Sequence, residues 1–168
     1  MEPHYQLIKQ AYENPTGGDS VQLLLTVLSV AERVGMDYAL ACLEGCVVEK
    51  RLSWLDANLE GLERRGDPVL DGYRLFFEVY LGLSIPGDGE IVEHTESKLV
   101  MRWWNRCPTL EACMELGLDT GRICRGAYHR PVQEFLSRLH PGLRFDRNYK
   151  ALRPHRPFCE EIITLERR

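Results

Sequence analysis

Pro86-Gly87-Asp88-Gly89-Glu90-Ile91-Val92-Glu93-His94-Thr95-Glu96-Ser97-Lys98-Leu99-Val100-Met101-Arg102-Trp103-Trp104 divides the chain into two kinds of sequence. Its opening Pro-Gly-Asp-Gly cluster is the clearest break present, because proline and glycine interrupt regular structure. Before it, apolar residues recur at helical spacing; after it, they alternate. Ile91 to Thr95 and Lys98 to Trp104 therefore read as two strands joined by a tight turn at Glu96-Ser97. On the second strand Leu99, Met101 and Trp103 share one side, and Val100, Arg102 and Trp104 the other.

Toward the N-terminus everything reads as helix. Leu7 to Tyr12 forms a short opening helix, stopped by Asn14-Pro15 and a Gly17-Gly18 turn. Asp19 or Ser20 then caps a helix running to about Val34, with Gly35 as its stop. Val21, Leu24, Leu25, Leu28 and Ala31 make one face, and Leu23, Val27 and Val30 widen it. So apolar a helix calls for burial in a bundle or against a second subunit. The next helix starts near Asp37 and carries Cys42 and Cys46 on one face, as core filler. Ser53 with Asp56 resembles a capping box that restarts a helix. Gly66 ends that helix, and Asp67-Pro68 is an N-cap followed by proline at the first helical position. Val69, Tyr73, Phe76, Tyr80 and Leu83 then form an aromatic core stripe.

Toward the C-terminus, helices are expected over Thr109 to Leu116 (stopped by Gly117), Thr120 to about Tyr128, and Val132 to Leu139. Strands follow over Leu143 to Tyr149 and Phe158 to Glu166. The fold class is α+β: an N-terminal helical half (residues 1–85), then a ββ-helices-ββ antiparallel sheet with helices on one face (residues 90–168), the two forming one integrated domain.

At 168 residues the chain has the length of one domain. The longest apolar segment, Leu23 to Leu28, is far short of the roughly 18 residues of a membrane span. Six cysteines without a signal-peptide pattern read as reduced thiols of a cytoplasmic protein. Net charge is −4, unevenly spread. Residues 1–88 hold 7 basic and 14 acidic side chains, whereas residues 122–156 hold nine basic ones against only Glu134 and Asp146. Such a field attracts anions. The alternative is that the basic stretch pairs with the acidic first half.

Four cysteines lie in the second half. Cys107 precedes Pro108 where a helix begins, and unpaired N–H groups at a helix start stabilise a thiolate. It is the candidate nucleophile, with Arg102 and Arg106 nearby. Cys113 reads as packing. Cys124 and Cys159 join Cys107 as a candidate zinc set, with His129 or a carboxylate as fourth ligand, although no CxxC knuckle supports it. For acid–base work the chain offers His129, His140, His155, Asp146, Glu160 and Glu161. Asp146, flanked by Arg144 and Arg147, suits an orienting or base role. Glu161 shares a strand face with Cys159, Ile163 and Leu165, which would make it a partly buried carboxylate beside a thiol.

The pattern Arg106-Cys107-Pro108, Gly121 to Cys124, and Cys159 resembles L-2-amino-thiazoline-4-carboxylic acid hydrolase-like proteins, as does the helical run Leu28 to Ala39. The ββ-helices-ββ half is similar to the 4-vinyl reductase type of sensory domain. The first resemblance implies hydrolysis at a C–N or C–S bond, with Cys107, Asp146 and His129 as catalytic candidates. The second implies small-molecule binding, sometimes with zinc, and a helical half that dimerises. On either reading the ligand is a small anionic compound, lying between the sheet and the helices of residues 107–139. Arg102, Trp104, Arg125, Arg147 and Arg153 are the candidates to hold it. The aromatics around the basic stretch would also suit nucleic acid, but a pI near 5.8 and the lack of a recognised motif argue against it.

Overall fold

In the computed structural model, which describes residues 3–14 and 20–166, the expected α+β class is realised as seven α-helices and four strands. They are α1 (Pro3–Glu13), α2 (Ser20–Val34), α3 (Met36–Asn58), α4 (Pro68–Tyr73), β1 (Gly89–Thr95), β2 (Lys98–Trp103), α5 (Pro108–Leu116), α6 (Thr120–Ala127), α7 (His129–Leu139), β3 (Leu143–Arg147) and β4 (Cys159–Leu165). A 3₁₀ turn follows α3, and α4 continues into a π-helical segment, Arg74–Tyr80. The Pro15 stop, the Gly17-Gly18 turn and the Asp19 cap lie outside the described residues.

Local signals account for most boundaries. Gly35 ends α2 at φ +90°, and its N–H donates to the Ala31 carbonyl. Asp67 caps α4 through its carboxylate, which accepts from the Leu70 N–H at 3.1 Å. Gly117 ends α5 in the left-handed region at φ +66°. Four expectations fail. Gly66 does not end a helix, because α3 stops at Asn58 and its 3₁₀ turn closes at Gly61. Ser53 does not restart a helix: α3 runs through it, with Ser53 on the exposed side while Arg51 and Leu55 are buried. The buried stripe of α2 is Leu23, Leu24, Val27 and Val30, and Leu25 faces outward. α7 begins at His129 and not Val132, because a proline in a first turn gives up an N–H that has no partner there anyway.

The chain folds as two compact units, each assembled from two separate stretches. Unit 1 comprises residues 1–50 and 107–131; unit 2 comprises residues 51–106 and 132–168. In unit 1, α2 packs on α1 and α5. Its core joins Ile8, Leu24, Val27, Val30, Leu43, Val47, Cys113, Ile123 and Ala127. Cys42 and Cys46 are buried there, as expected of core filler.

Unit 2 holds the four-stranded antiparallel sheet, in the order β1-β2-β4-β3. Leu99, Met101 and Trp103 of β2 join Leu143 and Phe145 of β3 and Ile163 of β4 on the inner face. Helical residues cover that face: Leu55 from α3, Val69 and Tyr73 from α4, Phe76 and Phe77 from the π segment, and Val132, Phe135 and Leu136 from α7. The expected aromatic stripe is thus the core of this unit. Each large side chain buried in it contributes roughly 1.5–3 kcal/mol. α4 approaches the sheet closely because Gly72 lacks a side chain. A Cβ there would stand 3.1 Å from Leu143 Cδ1 and 3.2 Å from Leu136 Cδ2.

Candidate functional site

The inner face of the sheet changes character along β4. At its far end Leu165 pairs with Leu143, and Ile163 sits between Leu99 and Phe145. Two residues back, Glu161 sits between Met101 and Arg147; two more, and Cys159 faces Trp103. Hydrocarbon therefore gives way to a carboxylate, a guanidinium, a thiol and an indole on neighbouring strands. The side-chain period of two puts them all on one face.

Glu161 and Arg147 form a buried ion pair. Arg147 Nε donates to Glu161 Oε1 at 2.7 Å and Nη2 lies 2.5 Å from the same oxygen, with the side chains 10% and 9% exposed. Trp103 is 3% exposed and stacks on Phe77, with ring centroids 5.1 Å apart. Its indole N–H is buried and meets no acceptor among the described residues. Such a group costs about 1–3 kcal/mol when left unsatisfied. Beyond the strand ends, Arg153 reaches back across this edge. Its Nε donates to Cys159 Sγ at 3.4 Å, and Nη1 donates to the Asn105 carbonyl at 2.6 Å. Nη2 lies 3.4 Å from Asn105 Oδ1. No carboxylate pairs with Arg153 among the described residues.

The other candidates are distributed elsewhere. Arg102 lies on the outer face, where Nε donates to Glu160 at 2.9 Å and the guanidinium sits 4.5 Å over the Phe158 ring. The Asn148 amide and the Arg102 guanidinium hold the Glu160 carboxyl below its ordinary value. Trp104 is exposed, and its indole N–H donates to the Gly87 carbonyl at 3.0 Å, pinning the Pro86–Gly89 turn. Asp146 is exposed on β3 and accepts from the Arg147 backbone N–H at 2.8 Å. Its expected flanking guanidinium groups pair elsewhere, Arg144 with Glu166 at 2.9 Å and Arg147 with Glu161. In unit 1, Cys107 is the N-cap of α5 with Pro108 at the first helical position, as expected, and is half-buried. Cys124 and His129 are half-buried and Arg125 is exposed. Burial pushes the Cys113 thiol up to about 11, which fits its packing role.

No group of three or more His, Cys, Asp or Glu among the described residues is placed to hold a metal ion. The basic stretch pairs substantially with the acidic first half: Arg122 with Asp37, Arg130 with Glu44, and Arg138 with Asp56. Asn105 escaped notice in the sequence because a neutral side chain in a turn carries no signal there. Glu161 was legible through strand alternation alone.

No helix among the described residues is long and apolar enough to cross a membrane. No protein-family model and no curated protein matches the chain. Two solved structures are similar in part. One is an Fe(II) unliganded H-NOX protein from K. algicida, 15% identical, with a TM-score of 0.47, covering 88% of this chain and 72% of that one. The other is a mutant form of that protein, 14% identical, with a TM-score of 0.49, covering 98% of this chain and 86% of that one. Likeness at this level assigns no function.

Proposed function

We propose that this chain is a small-molecule-binding domain, and that Arg153 anchors a carboxylate-bearing ligand at the polar end of the inner sheet face. The observation that carries this reading is the state of Arg153. It is a half-buried guanidinium held in place by two neutral groups, the Asn105 carbonyl and the Cys159 sulfur, with no carboxylate of its own among the described residues. Arg102 and Arg147, by contrast, are already neutralised by Glu160 and Glu161. A fixed guanidinium with unspent charge is suited to bidentate carboxylate recognition. Cys159 and Trp103 would then line the site, and the Arg147–Glu161 pair would hold β3 and β4 in register beneath it.

The test is a thermal-shift screen of small carboxylates, including 2-amino-thiazoline-4-carboxylate, against the wild type and Arg153→Gln. Stabilisation by one or more acids that disappears in Arg153→Gln supports the reading. A screen without saturable stabilisation, or one unaffected by the substitution, overturns it. A second reading, hydrolysis, is favoured by the position of Cys107 as the N-cap residue of α5, since the start of a helix is a place where thiols become reactive. Incubation with the same thiazoline and detection of ring opening separates the two: turnover lost in Cys107→Ala identifies an enzyme, and binding without turnover a sensor. In the sensor reading the helical region also serves dimerisation, which sedimentation equilibrium would detect.

A further inference from the structure

The polar end of β2 and β4 holds two N–H donors turned toward one sulfur. The first is the Arg153 Nε–H, which donates to Cys159 Sγ at 3.4 Å. Nη1 and Nη2 of the same guanidinium lie 2.6 and 3.4 Å from the carbonyl oxygen and Oδ1 of Asn105, which fix it from its other side. The second is the indole N–H of Trp103, 3% exposed and meeting no acceptor among the described residues, the Cys159 sulfur included.

Packing sets the direction of that N–H. Trp103 stands opposite Gly89 on one side and Cys159 on the other. A Cβ on Gly89 would lie 2.5 Å from Cε3 and 3.1 Å from Cζ3 of the indole, so the six-membered ring leans over β1. Nε1 occupies the edge of an indole opposite Cε3, which turns the N–H toward β4. Phe77 and Tyr73 stack on the ring at 5.1 and 6.3 Å and keep it in that orientation. Directly opposed side chains on neighbouring strands have Cβ atoms only about 4.5–5.5 Å apart. An oxygen bonded to Cys159 Sγ therefore comes within reach of both donors. Neither nearby carboxylate competes for them: Glu161 is held by Arg147, and Glu160 faces outward to Arg102. Cys159 is half-buried and reachable by a small solute, whereas Cys42, Cys46 and Cys113 are buried. Partly exposed thiols beside cations are the ones that peroxides oxidise.

We propose that Cys159 is a peroxide-reactive thiol whose sulfenic oxygen is held by the Trp103 indole N–H and the Arg153 Nε–H. Sγ attacks one oxygen of hydrogen peroxide, and the S–O bond forms as the O–O bond breaks. The second oxygen leaves as hydroxide and takes the thiol's proton to become water. Sulfur is oxidised and the peroxide reduced, leaving cysteine sulfenic acid. Arg153 serves here as a fixed cation whether or not it also binds an acid, so the reaction does not depend on the carboxylate reading.

The experiment treats the full chain with hydrogen peroxide and dimedone, with no carboxylate ligand present, and follows each cysteine's adduct by mass spectrometry of peptide digests. The Cys159 adduct should form faster than those of Cys107 and Cys124, the other half-buried thiols. Its rate should fall about tenfold in Arg153→Gln, the size of one lost charge-assisted hydrogen bond, and be partly kept in Arg153→Lys. Cys42, Cys46 and Cys113 report unfolding within the same digest, so lost reactivity is separable from lost structure. In ¹H–¹⁵N spectra recorded without dimedone, peroxide should move the Trp103 indole signal, and should leave it in place in Cys159→Ser. Equal labelling of Cys107 or Cys124, a rate indifferent to Arg153→Gln, or an unmoved Trp103 signal would each overturn the proposal.

Discussion

Arg153 and Arg147 are both inward-reaching arginines close to β4, yet their neighbours give them opposite roles. Arg147 is consumed by Glu161, and a buried pair of this kind is most costly when halved. Glu161→Gln or Arg147→Met should each lower unfolding free energy by about 3–5 kcal/mol, because the surviving charge stays buried. Urea denaturation would measure this, and a double variant less destabilised than the sum of the two would show that the residues act as a pair. Glu160, on the outer face, offers a pH test. Its folded pKa is depressed, so its stabilisation is present above the ordinary carboxyl value of 4.5 and is lost as pH falls through the folded value. The gap in stability between wild type and Glu160→Gln should be about 1 kcal/mol near neutrality and shrink as pH falls below 4.5. Cys113, fully buried with a raised pKa, should resist iodoacetamide at neutral pH in the native protein and react once it is unfolded, as mass spectrometry of peptide digests would report.

At the scale of elements, continuity of α3 is the feature that most needs a test. Ser53 lies on the exposed side of a continuous helix, so Ser53→Ala should be near neutral and Ser53→Pro should cost about 3 kcal/mol or more. A true helix start at Ser53 would reverse that order, losing a cap with alanine and tolerating proline close by. The sequence misled here because Ser53 and Asp56 have the spacing of a variant capping box, and local chemistry alone cannot show that Arg51, Leu55 and the residues before them belong to one cylinder. Strands were more legible. The turn at Glu96-Ser97 and the Leu99-Met101-Trp103 face could be read directly, since alternation forces the inner side. Gly89 shows what pairing adds. It faces Trp103 across β1 and β2, and a Cβ there would collide with the Arg102 carbonyl oxygen and meet Trp103 Cε3 at 2.5 Å. Gly89→Ala should therefore destabilise by about 1–3 kcal/mol in thermal or chemical denaturation. Of the candidate site, the inward Glu161 and the basic residues were readable. Which arginine keeps its charge unspent was not, because that depends on partners 14 to 58 residues away, as with Arg147–Glu161 and Arg102–Glu160.

At the scale of the molecule, the chain crosses between its two units three times: within α3, between Arg106 and Cys107, and within α7. Neither unit is contiguous in sequence. Unit 1 waits for α5 and α6, and unit 2 for β3 and β4, whatever has formed earlier. A nascent chain emerging from the ribosome therefore exposes the apolar faces of α2 and α3 before the segments that cover them have been made. β2 reaches the tunnel exit long before β4, its central neighbour in the sheet. The order of translation thus runs against the order of assembly, and the apolar faces of α2 and α3 are the surfaces a partly made chain leaves uncovered longest.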